Sequence, residues 1–313
     1  MSPDKAPKHT DTLVSVDGRQ LKLTRLEKVL YPQTGTTKAE VLDYYAKIAV
    51  TMLPHLADRP VTRLRWPDGT ASTPFFEKNS PSHTPDWIRT VVLPTPGSSR
   101  NLETLRFPFI DDTASLIWAA NLAALELHVP QWKVGPRGAV HNPDRLVIDL
   151  DPGPPANLAE CAQVALLIRD RLAEDGLSAI PVSSGSKGLQ LYVALSGAPE
   201  AGRVSGYAKA LAESLAKDHP KLVVARMAKN LRPGKVFLDW SQNNPAKTTI
   251  CPYSLRGRAE PWVAAPRTWE ELSAGNPRQL LAAEVLQRVE QKGDLAAGLL
   301  KKGRPLPPSA RRG

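Results

Sequence analysis

Cysteine is nearly missing: Cys161 and Cys251 are the two thiols in 313 residues, and neither has another Cys or a His at ligand spacing. That excludes a structural zinc site of three or four thiolates, and both read as reduced packing residues. Long apolar runs are missing too. Nothing approaches the ~20 residues of a membrane span, and the polar opening Met1-Ser-Pro-Asp-Lys-Ala-Pro-Lys8 lacks the apolar core of a secretory signal. The expectation is a cytoplasmic protein with no membrane partner. Acidic residues are in deficit, with 31 Asp and Glu against 41 Lys and Arg, a net charge of +10. Such a balance suits a polyanion, nucleic acid above all, although a generally basic proteome produces it as well. Hydrophobic residues at 42% and charged residues at 23% are ordinary for a globular chain, here long enough for two lobes around a sizeable core.

The stretch Arg145-Leu-Val-Ile-Asp-Leu-Asp-Pro-Gly153 carries the sharpest chemical signal. Side chains alternate along a strand, so Leu146, Ile148 and Leu150 point one way and Val147, Asp149 and Asp151 the other. The two carboxylates then stand about 6–7 Å apart at Cα, on one face. Pro152 and Gly153 end the strand and leave both acids within reach of a ligand. Like charges held this close call for a cation between them, and oxygen ligands suit a divalent metal. A pair of solvated turn residues is the plainer reading of an isolated Asp-x-Asp.

Elsewhere the chain reads as α/β on a mostly antiparallel sheet. Residues 11–24 alternate as a hairpin turning at Asp17-Gly18, and a helix is expected from about Lys38 to Leu53. Pro-rich connections occupy 80–97, and a second helix fits Thr113 to Ala124. Asn157 with Glu160 predicts a capped helix closing at Gly176. Strands follow near 178–183, 189–195 and 235–241, with a helix near 204–217, while residues 1–10 and the basic tail 301–313 are expected to be disordered.

Three further stretches could complete a site. Ser183-Ser-Gly-Ser-Lys-Gly188 can turn its N–H groups toward one point as an anion nest, with Lys187 adding charge; it lacks P-loop spacing, and a plain hairpin turn is the competing reading. In Lys235-Val-Phe-Leu-Asp-Trp-Ser241, Asp239 falls opposite Val236, Leu238 and Trp240, giving the third strand carboxylate that a two-metal phosphoryl-transfer site needs. Arg256 could clamp a phosphate, and His128 lies just ahead of the acid strand. Phe75 and Phe76 are adjacent, so one of them faces outward on a strand, where it could stack on a base.

Lys28-Val-Leu-Tyr-Pro32, Phe75-Phe-Glu-Lys78, Leu125-Glu-Leu-His-Val-Pro-Gln-Trp132, Asp149-Leu-Asp-Pro-Gly153, Ser184-Gly-Ser-Lys-Gly188, Asp239-Trp-Ser-Gln-Asn243 and Lys247-Thr-Thr-Ile-Cys-Pro-Tyr-Ser-Leu-Arg256 occur in this order. As a set they closely resemble the primase-polymerase domain of bacterial ATP-dependent ligase D and its stand-alone relatives, within the archaeo-eukaryotic primase superfamily. The resemblance runs from about Leu23 to Leu272. It implies an RRM-like catalytic sheet flanked by helices, with lobes at about 11–125 and 126–275 and a helical segment at 276–300. It also implies template-dependent addition of nucleotides, ribonucleotides preferred, to a primer 3′-hydroxyl during gap filling in repair or end joining.

By the same resemblance, Asp149, Asp151 and Asp239 would hold two divalent ions, manganese preferred or magnesium. His128, Ser184, Lys187 and Arg256 would hold the nucleoside triphosphate, Gln242 would lie near its sugar, and Phe75 and Phe76 would meet a base. Lys28, Lys38 and Lys78 match DNA-binding positions that include a 5′-phosphate site, and Arg232 matches a mobile-loop arginine. Implied partners are gapped or nicked DNA, Ku and an ATP-dependent DNA ligase, at the nucleoid. No ligase or nuclease region fits in the residues left over, so the chain reads either as a stand-alone polymerase or as part of a longer protein.

Three positions depart from the family pattern. Leu64 stands where a 5′-phosphate lysine is usual, Arg25 where a small polar residue is usual, and Gln190 where a histidine is usual. Phosphate recognition is then expected to be kept but rearranged, with Arg25, Arg63 or Arg65 supplying the charge. Two other readings remain open at this point: a different nucleotidyl or glycosyl transferase using the acid pair, and a basic DNA-binding scaffold whose acids are idle.

Overall fold

A computed structural model describes residues 11–95, 103–275 and 277–308. The expectations for residues 1–10 and for the last five residues of the tail fall outside these. The chain opens with the hairpin β1 (Thr12–Val16) and β2 (Arg19–Leu23), then the short pair β3 (Val29–Tyr31) and β4 (Thr36–Thr37) and helix α1 (Lys38–Leu56). Strands β5 (Thr62–Arg65), β6 (Phe75–Glu77), β7 (Thr90–Pro94) and β8 (Thr104–Pro108) lead to α2 (Thr113–Asn121) and β9 (Ala124–Val129). The chain continues through β10 (Arg145–Pro152), α3 (Leu158–Glu174), β11 (Ala179–Ser183), β12 (Leu189–Ala194), α4 (Ala201–Asp218), β13 (Val223–Val224) and β14 (Val236–Asp239). It closes with β15 (Thr249–Ile250), β16 (Trp262–Val263), β17 (Ala265–Pro266), α5 (Trp269–Ser273), β18 (Leu280–Leu281) and α6 (Ala282–Lys292).

Two sheets organise the molecule. One has the order β13-β14-β10-β12-β11-β17 and is antiparallel except for β13 beside β14; the other has the order β15-β9-β5-β6. On the first sheet Leu146, Ile148, Leu150, Leu191, Val193 and Leu238 bury against Cys161, Ala165 and Ile168 of α3 and Val204, Ala208 and Leu211 of α4. The opposite face sends Val147, Val182 and Tyr192 into the core built by α1, α2 and β9. Alternation therefore puts Asp149 and Asp151 on the face of β10 that Val147 shares, the face turned toward α1, α2 and β9.

Several boundaries shift from expectation for identifiable reasons. Helix α1 continues through Pro54 to Leu56, because His55 and Leu56 are fully buried. Helix α2 stops at Asn121, since Ala123 turns the chain with φ 58° and Ala124 opens β9. The stretch 80–97 is more than connection: β7 pairs with β8, burying Leu93, Leu105 and Phe107. Strand β14 ends at Asp239 and a 3-10 turn, Trp240–Asn243, follows, so Trp240 leaves the alternation. Helix α4 starts at Ala201. Residues 301–308 are tied down, contrary to expectation: Leu306 is buried and Arg203 donates to the carbonyls of Leu306 and Pro307. Both cysteines are buried and free, as read from the sequence. No helix among the described residues is long and apolar enough to cross a membrane.

Candidate active site

Strand β10 lies between β12 and β14, and register sets Asp149 opposite Asp239 on one side and opposite Gln190 on the other. Like charges directly opposed across strands are destabilising. Burial, then Asp151 and then Asp239, push the Asp149 carboxyl up to about 8, whereas Gln190 and Arg256 oppose the rise. Asp151 is also raised, by burial and Asp239, against the pull of Arg232 and Arg256. The Tyr192 hydroxyl donates to Gln190 Oε1 at 2.9 Å, which turns the Gln190 amide N–H toward Asp149. The amide found where the family pattern has histidine is thus part of the acid cluster.

Asp239 is held by its own turn. Ser241 donates its backbone N–H at 3.0 Å to Oδ1, Gln242 Nε2 donates to Oδ2 at 3.0 Å, and Lys247 Nζ stands 3.8 Å from Oδ2. Gln242, expected beside a sugar, is therefore against an acid, and Lys247 is a cation of the site that sequence reading gave no task. Among the described residues no three acids or imidazoles converge on one ligand point. The donor chemistry nevertheless fits hard divalent cations: two strand carboxylates on one face, a third in register, all oxygen, with Asp149 and Asp151 both raised by burial and by neighbouring carboxylates.

The Ser183–Gly188 loop corrects the anion-nest expectation. Its N–H groups turn inward: those of Ser186 and Gly188 donate to Ser184 Oγ at 3.2 Å, and that of Gly185 donates to Gln279 Oε1 at 2.8 Å. Gln279 Nε2 also donates to the Gly188 carbonyl at 3.3 Å, so the loop is braced from just ahead of β18. Since Ser184 Oγ accepts twice, its own proton is left to donate, which suits an anion. Gly185 (φ +64°) admits no side chain, because a Cβ there would fall 2.5 Å from Arg256 Cγ. Lys187 is exposed and lines a cleft of about 370 Å³ with Pro152, Ser186 and Gln279.

Arg256 joins this loop to His128. Glu126, buried on β9, faces His128 Nε2 at 2.8 Å through Oε2, while its Oε1 accepts the Gly257 N–H at 3.1 Å and lies 3.3 Å from Arg256 Nε. Burial alone would raise this carboxyl; His128 and Arg256 hold it below the usual range. Glu126 alternates with Leu125 and Leu127 as Asp149 and Asp151 do with their neighbours, the one signal in the sequence that marks it.

Of the remaining predicted residues, Arg232 lies near enough to Asp151 to oppose its rise, and the others stand on elements outside the acid-bearing sheet. Phe75 and Phe76, on edge strand β6, are both exposed, at 59% and 56%, where one outward ring was expected. Lys78 Nζ stands 5.8 Å over the Phe76 ring. Arg63 and Arg65 share one counter-charge, pairing with Glu77 at 3.1 and 3.0 Å, and Arg63 is fully buried. Arg25 is exposed, with φ 52°. Its charge and that of Lys28, together with burial, lower Lys38 to about 8, so the three cations are neighbours. Lys28 pairs with Asp68 at 2.9 Å, and Lys38 Nζ donates to the Thr24 carbonyl at 2.6 Å. Arg232 stacks on Phe237, 3.7 Å from the ring centroid, and the backbone of its loop presses on Gly153, where a Cβ would meet the Arg232 carbonyl oxygen at 2.2 Å.

A family model described as the primase-polymerase domain of LigD matches residues 37–296. A multifunctional non-homologous end joining protein LigD of Mycolicibacterium smegmatis is 48% identical over 282 residues, 90% of this chain and 36% of its own length. A bifunctional non-homologous end joining protein LigD of Bacillus subtilis is 33% identical over 279 residues, 88% of this chain and 43% of its own length. The chain thus spans less than half of these relatives. Among solved structures, the polymerase domain of Mycobacterium tuberculosis ligase D, in complex with DNA, matches with a TM-score of 0.85 and 46% identity, covering 90% of this chain and 99% of that one.

Proposed function

The chain belongs to the LigD primase-polymerase family of nucleotidyltransferases, and from that premise we propose that it fills short gaps in DNA during end joining. It adds nucleotides, ribonucleotides by preference, to a primer 3′-hydroxyl opposite a template. The observation that carries this reading is the register of β10 and β14, which sets Asp149, Asp151 and Asp239 together beside the Ser184 loop and Arg256.

In this proposal Asp149, Asp151 and Asp239 hold two divalent ions, manganese or magnesium, which when bound supply positive charge to the triphosphate and to the attacking hydroxyl. Asp239, held by the Ser241 N–H and the Gln242 amide, would be the third carboxylate to them, with the Gln242 side chain at hand for the nucleotide sugar. Ser184 donates its remaining proton to a phosphate, and Lys187, Arg256 and His128 complete the grip on the triphosphate. Phe75 and Phe76 give stacking faces to a base, and Lys78 follows the backbone beside them. Arg25, Lys28 and Lys38 form the 5′-phosphate seat, with Arg25 in place of a lysine at position 64. Arg232 steadies the loop next to Asp151. Ku and an ATP-dependent ligase are the partners at a broken end, on the nucleoid.

Primer extension across a short 5′-phosphorylated gap tests the proposal. Extension that requires a divalent metal and Asp149 is expected. DNA binding without extension would transfer support to an idle scaffold.

A further inference from the structure

Glu126 is a buried charge with no task in the account so far. It has 3% of its surface exposed, and burying a carboxylate is unfavourable unless it is paired. It is paired twice, with side chains from two different elements: His128 two residues along β9, and the Arg256 guanidinium beyond β15. Resting on the proposed role of these two residues in holding the triphosphate, we propose that Glu126 is the positioning residue of nucleotide binding, its carboxylate hydrogen-bonded to His128 and ion-paired with Arg256 so that the guanidinium and the other ring nitrogen face the phosphates.

The surroundings argue that Arg256 needs such a tether. Its carbonyl accepts from the Tyr31 hydroxyl at 2.8 Å, its N–H donates to the Trp262 carbonyl at 2.8 Å, and its Cγ abuts Gly185. Backbone and stem are thereby set, and only the guanidinium is left to choose a direction. Asp149 and Asp151 both feel its charge. Without a competing carboxylate the guanidinium would be drawn to those acids, away from a phosphate bound at Ser184. Glu126 pulls from the β9 side and keeps it between the two. The Gly257 N–H holds the Glu126 Oε1 in turn, and position 257 excludes any side chain, since a Cβ there would meet the Trp66 ring at 2.3 Å. For His128, Nε2 is committed to Glu126, leaving Nδ1 as the ring atom free for a ligand.

Steady-state gap filling with manganese and one ribonucleoside triphosphate would be compared for the intact chain, Glu126→Gln, Arg256→Gln and the double variant. Glu126→Gln is expected to raise the nucleotide KM by about 10- to 100-fold with kcat nearly unchanged, as for removal of an outer orienting group. Arg256→Gln should do the same, and adding Glu126→Gln to it should cost no more than about threefold further. An unchanged KM in Glu126→Gln, or two effects that multiply in full, would overturn the inference. Where Glu126→Gln alone melts early, the double variant removes both buried charges together and carries the comparison against Arg256→Gln. No extension by the intact chain would instead defeat the polymerase reading on which the inference rests.

Discussion

Replacing Asp149 by Asn should stabilise the metal-free protein while abolishing its activity. In the folded chain the carboxyl is raised from 3.8 to about 8, by burial and by Asp151 and Asp239. The unfolded chain sheds that proton near 3.8, whereas the folded chain keeps it until about 8. Stability tied to this group is therefore complete below pH 3.8 and is lost progressively as pH rises through about 8. At about 1.36 kcal/mol per pH unit the full rise sets a ceiling of about 6 kcal/mol. Three acids share the repulsion and relax together when one is neutralised, so the expected gain at pH 8 is about 1–2 kcal/mol, in the range of other relieved active-site strains. At about 2.1 cal/mol/K of unfolding entropy per residue, a chain of this length shifts by about 1.5–3 °C in Tm. Thermal melts in chelator should show Asp149→Asn above the intact protein at pH 8 and the gap closing toward pH 4. Manganese should reverse the order, since only the intact site binds it well; saturation at 100 times Kd adds about 2.7 kcal/mol. A variant that melts lower in chelator, or a gap indifferent to pH, would refute the electrostatic reading of the acid cluster.

Three other outcomes are expected. If Lys38, lowered to about 8 by burial, Arg25 and Lys28, belongs to the proposed 5′-phosphate seat, the preference for 5′-phosphate over 5′-hydroxyl gaps should be full at pH 7 and shrink by pH 9, and a flat ratio in binding titrations contradicts it. Arg25→Gly should cut that preference about three- to tenfold and, by relieving φ 52°, change stability by no more than about 1 kcal/mol; equal loss of affinity for both ends would remove Arg25 from the phosphate seat. Gln279→Leu unlatches Gly185 and Gly188, so the nucleotide KM should rise about 5- to 20-fold with DNA affinity intact, and a normal KM in steady-state kinetics would leave Gln279 as scaffold only.

What the sequence made legible was local. The Asn157 cap is present as read, with Ala159 N donating to Asn157 Oδ1 at 2.8 Å and Asn157 N to Glu160 Oε2 at 2.7 Å. The alternation of Asp149 and Asp151 against Leu146, Ile148 and Leu150 survives intact because both faces of β10 had strong preferences. A second capping box, Thr37 with Glu40, was equally readable and gives α1 its start. What escaped depends on distant partners. Ser184 takes two N–H groups within its own loop, but nothing near Gly185 says that its N–H is taken, because Gln279 lies 94 residues away. Glu126 reads as a solvated strand residue until Gly257 and Arg256 close over it from 131 residues away. Arg63 and Arg65 looked free because their shared partner Glu77 arrives on a separate strand. The strand Thr90–Pro94 was hidden by the prolines around it, and only its pairing with Thr104–Pro108 reveals it.

The most direct test of the central claim is primer extension across a short 5′-phosphorylated gap, with manganese, comparing ribo- with deoxynucleotides and the intact chain with Asp149→Ala. The account predicts template-directed filling that favours ribonucleotides, stops without metal and vanishes in Asp149→Ala. Equal DNA binding by both proteins with no extension by either would contradict it.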